Sequence, residues 1–181
     1  MSIDAEGILQ RYADGERDFS NIQLSEAELR QADLRAVNLK SANLSNTSFI
    51  DADLIGADLT NANCQHTNFY QTNLSDATLT KANLHQADLR SAQLHRADLR
   101  GATLTKANLM DCQLAGANLQ GAVLCGADLY NCQFSGADLC SADLRGADIF
   151  GAKLSEAYYD EHTQFDPGVN PARLNMQKPS A

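Results

Sequence analysis

Residues 82–109 read ANLHQADLRSAQLHRADLRGATLTKANL, with a leucine at every fifth position and an alanine two places before it. The frame runs without a slip from Leu24 to Leu154. Of its 27 central positions 22 are Leu, and the exceptions are Phe49, Cys64, Phe69, Phe134 and Ile149. Ala holds 20 of the 27 positions two residues earlier, and Asp or Asn holds 17 of the 27 slots in between. The unit is therefore Ala-Asp/Asn-Leu-X-X, as in Ala87-Asp88-Leu89. On an α-helix a five-residue step turns ~500°, so the leucines would wander around the axis; on a flat strand the face reverses each time. A chain that bends after every pentapeptide keeps each Leu and Ala on one axis, which is the arrangement of a β-solenoid.

Identical residues at identical slots give the number of bends per coil. Thr47 and Thr67, Phe49 and Phe69, and Cys112 and Cys132 all recur at a spacing of 20, against Cys125 and Cys140 for a spacing of 15. Four pentapeptides per coil make a four-sided rod of nearly seven coils, on the order of 30 Å long at ~4.8 Å per coil. Eight of the eleven Gly stand two residues after a central position, where a tight corner favours a residue without Cβ. In the slot before Leu, Asp and Asn are expected to hydrogen-bond local backbone, a simpler account of the carboxylate row than catalysis or calcium binding.

The tandem Ala-Asp/Asn-Leu-X-X unit over residues 22–156 resembles the pentapeptide-repeat family. That resemblance implies an all-β fold, a right-handed quadrilateral β-helix with the central and small residues pointing inward; the hand of the coil comes from the resemblance alone. Three segments follow. Residues 1–21 read as an N-terminal helical cap and lead-in, with Ile8, Leu9 and Tyr12 at helical spacing within residues 3–14. Residues 22–156 are the solenoid. Residues 157–181 read as a plug of Tyr158, Tyr159 and Phe165, the last one residue out of register, and a flexible tail punctuated by Pro167, Pro171 and Pro179.

The chain has 181 residues, with 23 acidic against 14 basic side chains and a net charge of −9. Such a balance argues against direct nucleic-acid binding. No apolar run approaches the ~20 residues that cross a bilayer, and residues 1–20 lack the layout of a signal peptide. A cytoplasmic protein without membrane contact is expected. The odd count of five Cys fits a reducing compartment.

Reactive chemistry is thin. His66 and His85 share a side in neighbouring coils, which allows a weak surface metal contact but reads more simply as two solvated imidazoles. Cys112 and Cys132 are inward neighbours, near enough for a disulfide but better read as small buried hydrophobes. Cys64 is expected to be buried and inert, whereas Cys125 and Cys140 fall at outward slots where a thiol could react. No enzyme, cofactor or metal site is expected.

One column departs from the bland surface. Following the spacing of 20, Ile50, Tyr70, Arg90, Met110, Tyr130 and Phe150 stand on one side, whereas equivalent slots elsewhere are mostly polar. The same side carries six acidic residues, among them Asp88, Asp128 and Asp148, against Arg30 and Arg90. An apolar strip with an acidic rim reads as a contact surface for a protein partner or a homodimer. The leading helix and the Phe-Asp-Pro sequence at 165–167 are similar to cyanobacterial family members. An alternative comes from relatives that imitate duplex DNA and regulate the type II topoisomerase gyrase; the modest charge and the uninterrupted repeat weigh against it.

Overall fold

The computed structural model describes residues 4–179. Residues 1–3 and 180–181, the outer ends of the expected cap and tail, lie outside the described residues. Parallel bridges join each slot residue to the one twenty positions on, from Asp18 with Asn38 through Asp138 with Tyr158. The chain is thus a repeat β-helix whose coil takes twenty residues, or four pentapeptides. Central residues from Leu24 to Leu144 are each 2% exposed or less and form one continuous core. Phe49 and Phe69 stack within it, their ring centroids 5.4 Å apart and their planes 4° from parallel.

One unit shows how the backbone is satisfied. Asn83 N–H donates to Ala62 O (2.9 Å) in the coil before, while Leu84 N–H and Gln86 N–H donate to Thr103 O (2.7 Å) and Thr105 O (3.1 Å) in the coil after. Ala87 N–H closes the turn on Leu84 O (3.0 Å). The fifth N–H, that of His85, meets no backbone acceptor and donates instead to Asn83 Oδ1 (3.2 Å). All 17 Asp and Asn slots of the frame accept this bond, from Arg35 N–H on Asp33 to Phe150 N–H on Asp148. Ser48 is too short to do so, and its buried hydroxyl has no partner.

The corners are more uniform than the glycines indicate. Every fifth residue from Asn21 to Glu156 has φ between +53° and +73°, and most of these corners are not Gly. Asn and Asp tolerate this left-handed region, and Gln, Lys, Arg, Ser and Ala also adopt it here; Val, Ile and Thr are missing from the whole column. Polar residues at the small inward slots are satisfied too. Thr47, Thr67 and Thr72 each donate from Oγ1 at 2.6 Å to the carbonyl of a central residue in the coil before.

At one end helix α1 (Ala5–Ala13) buries Ile8 against the first coil. Asp4 caps it by accepting from Gly7 N–H (2.8 Å), and Tyr12 Oη–H donates to Arg35 O (2.9 Å). At the other end the register slips by one residue, so that Asp143 pairs with Gln164. The Asp160 carboxylate pins this slip by accepting from Ser141, His162 and Thr163. Burial opposes its charge, yet these bonds outweigh it and hold the carboxyl well below the usual range. The segment expected as a flexible tail holds a 3-10 helix (Pro171–Leu174), buries Met176 and bridges Gln177 to Tyr158.

Two stability predictions follow from the backbone. In urea unfolding, Asn118→Ala is expected to lose roughly 1 kcal/mol, whereas Ser48→Asn gains on the order of 1 kcal/mol by supplying the missing acceptor for Ile50 N–H. At the corner of Ala36, Val is expected to cost more than about 1 kcal/mol while Gly is tolerated; equal midpoints for the two variants would contradict the left-handed assignment.

Candidate protein-interaction surface

Bridges Ser48 with Asn68, Asn68 with Asp88, Asp88 with Asn108, Asn108 with Asp128 and Asp128 with Asp148 place successive rungs of one column in register. Ile50, Tyr70, Arg90, Met110, Tyr130 and Phe150 each follow two residues after a bridged slot, so all six stand one above another. From Tyr70 upward each has its backbone N–H tied to its own slot side chain, which fixes the direction of its side chain. The Arg90 guanidinium lies over the Tyr70 ring at 5.4 Å and pairs with Asp88 at 2.6 Å. Tyr130 and Phe150 stack at 5.9 Å, 12° from parallel.

This column is less open than its sequence indicates. Ile50, Tyr70, Met110 and Tyr130 are half-buried, because coils a strand spacing apart press each side chain onto the next; Phe150, at the top, is 73% exposed. The apolar surface is concentrated at that upper end.

The pentapeptide-repeat family model matches in eight copies, over residues 18–56, 38–76, 68–105 and 107–146. The chain belongs to the pentapeptide-repeat family. Solved structures to which this pentapeptide-repeat chain is similar include Rfr23 from the cyanobacterium Cyanothece 51142, with 23% identity over 88% of this chain and 98% of that one and a TM-score of 0.33. HetL from Nostoc sp. strain PCC 7120, a protein involved in heterocyst differentiation regulation, has 29% identity over 90% of this chain and 99% of its own, with a TM-score of 0.25. Trypsin-treated QnrB1, a plasmid-mediated fluoroquinolone resistance protein, has 20% identity over 80% of each chain and a TM-score of 0.39. No curated protein matches the chain. What this family member does has to be read from its own residues.

Its cysteines are poor nucleophiles. Cys112 and Cys132 are free and buried, and each thiol donates to a backbone carbonyl, Leu89 O at 2.7 Å and Leu109 O at 2.8 Å. They take the same bond as the threonines at equivalent slots. Burial pushes the Cys112 thiol well up, and the Cys64 thiol to about 12. Cys140, expected at an outward slot where a thiol could react, is in fact 4% exposed. Burial and the Asp138 and Asp160 carboxylates push its thiol to about 12. The half-buried Cys125 thiol is also raised, by burial and by Asp143.

His66 and His85 meet edge to face at 6.2 Å, and among the described residues no three His, Cys, Asp or Glu side chains converge as metal ligands. An open groove lies between the start of α1 and Gln23–Ala27, where Asp4 is already engaged as a helix cap. Much of the acidity is locally compensated. Asp33, Asp88, Asp98 and Asp143 each pair with an Arg two residues on, and Asp58 and Asp76 pair with Lys40 and Arg96. Among the described residues no helix is long and apolar enough to cross a membrane.

A thiol reagent at pH 8 is expected to label at most Cys125 in the native protein and all five cysteines in urea. Rapid native labelling of Cys140 would contradict the burial described.

Proposed function

We propose that the chain is a non-enzymatic interaction module of the cytoplasm, a right-handed quadrilateral β-helix that presents rigid flat faces to a protein partner or to a second copy. Its parts are the cap and lead-in of residues 1–21, the solenoid of 22–156 and the plug and tail of 157–181. The contact strip is Ile50, Tyr70, Arg90, Met110, Tyr130 and Phe150, and neither cofactor, nucleic acid nor membrane enters its role.

The observation that carries this reading is the alignment of those six side chains on consecutive rungs, ending in an aromatic pair whose outer ring is 73% exposed. A large exposed aromatic costs solvation unless something covers it. The rigid ladder beneath holds the strip in one geometry, so little entropy is lost on contact. The alternative of a DNA-mimicking regulator of gyrase requires an uncompensated acidic face. The pairing of Asp33, Asp58, Asp76, Asp98 and Asp143 with basic side chains weakens that reading.

Changing Tyr70, Met110 and Tyr130 together to Ser tests the strip. In affinity capture from the native cytoplasm and in sedimentation, the wild type is expected to associate and the variant to lose that association while keeping its far-UV spectrum. Association that survives in the folded variant would sink the proposal.

A further inference from the structure

The column ends on an unfinished ladder. One coil below the top, Ala127 O accepts from Asp148 N–H (2.9 Å), Leu129 N–H donates to Asp148 O (2.8 Å) and Asn131 N–H donates to Phe150 O (3.1 Å). The equivalent groups at the top are Ala147 O, Ile149 N–H and Gly151 N–H, and among the described residues none of the three has a partner. The chain path explains why. After pairing Gln164 with Asp143, the backbone leaves the ladder through Pro167 and the 3-10 helix, and it returns where Glu156 N–H donates to Asn175 O (3.0 Å). Phe165 and Leu174 meanwhile pack onto the core, so the stretch from Ala147 to Gly151 is passed over.

The side chains on this edge are equally unfinished. Phe150 covers Tyr130 on one face and is itself largely open. Asp148 stands directly across a bridge from Asp128, and among the described residues neither carboxylate has a basic partner. Like charges opposite one another across a ladder repel, and a cation placed over them relieves that repulsion.

We propose that Ala147–Gly151 is a strand-addition site for an extended peptide of a partner protein, with a basic residue and, two residues on, an aromatic one. This inference rests on the reading of the column as an interaction strip and names what its upper end recognises. Running parallel to Asp148–Phe150, the peptide repeats the register of the coils below. The N–H of its basic residue donates to Ala147 O, the carbonyl of that residue accepts from Ile149 N–H, and the carbonyl two residues on accepts from Gly151 N–H. The basic side chain then lies over Asp148 and Asp128, and the aromatic ring extends the Tyr130 and Phe150 stack. Main-chain bonds give such a complex its strength, and the alternate side chains give it selectivity. A second copy of this chain fits the edge less well, because in the same register its first coil offers Glu28-Leu29-Arg30 and sets Glu28 against Asp148.

The test uses the full isotope-labelled chain and a blocked Gly-Gly-Arg-Val-Tyr-Gly-Gly peptide, read by amide exchange and shift titration. Saturable binding that slows exchange at Ile149 and Gly151 is expected. Weakening by roughly tenfold or more is expected when the peptide Arg is N-methylated or replaced by Glu, and for Asp148→Asn or Phe150→Ser in the protein. The Tyr70→Ser/Met110→Ser variant leaves the edge intact and is expected to bind the peptide as the wild type does. No binding at millimolar peptide, binding without protection of those amides, or equal binding of the N-methylated peptide overturns the site. Protection that rises with protein concentration alone gives the edge to a second copy and overturns it as well. A negative peptide result beside strip-dependent association rejects the edge while leaving the strip reading in place.

Discussion

A chain that turns after every fifth residue brings four of the five backbone N–H groups of a unit in the inner coils to carbonyls in the turn or in the adjoining coils, and leaves the fifth facing outward. That orphan stands on the residue after the central one, where the coil bends and no strand passes. A short side chain carrying an acceptor, one residue before the centre, reaches it; Asp and Asn do so and Ser48 does not. The rest of the unit follows. The central side chain is turned inward and is apolar, the inward slot two before it has space for Ala, Thr or Cys, and the corner is left-handed.

Much of this is legible in the sequence because a repeat sums weak signals. A single Ala-Asp-Leu says little, but 27 in frame fix the period, and Phe49 with Phe69 fixes the coil at twenty residues. The glycines mark the corners without showing that Gln31, Lys81 and Arg96 adopt the same φ. The available signal was the lack of β-branched residues in that column. Exposure is less legible. Spacing places Tyr70 and Met110 outward, but coils a strand spacing apart make neighbours in a column cover one another. Cys140 is buried with the Asp160 carboxylate of the next coil beside it, which its outward slot alone does not indicate.

The proposed functional features lie where the repeat is broken or decorated. Among the described residues Leu and Ala fill the core, and the recognition proposed falls to the two variable positions of each unit and to the ends of the ladder. The N-terminal end is occupied by α1 and by Tyr12 on Arg35 O. At the opposite end Gln164 and Gln177 resume the ladder, with Ala147–Gly151 left between them. That this opening coincides with the exposed ring of Phe150 and with Asp148 joins strip and edge into one surface. It also shows how a sequence built for uniformity acquires a unique spot: a single inserted residue near Asp160 and a proline at 167 shift the last coil off its frame.

Amide hydrogen exchange resolved residue by residue over the described coils tests the satisfaction of the fifth N–H most directly. Residues following the centre are predicted to exchange slowly where the slot is Asp or Asn, as at Tyr70 and Gln120. They are predicted to exchange fast where the slot is Gln or Thr, as at His95 and Thr105, against slow exchange at the central residues from Leu24 to Leu144, each of which donates to a carbonyl of the next coil. Equal rates at Tyr70, Gln120, His95 and Thr105 would contradict the account.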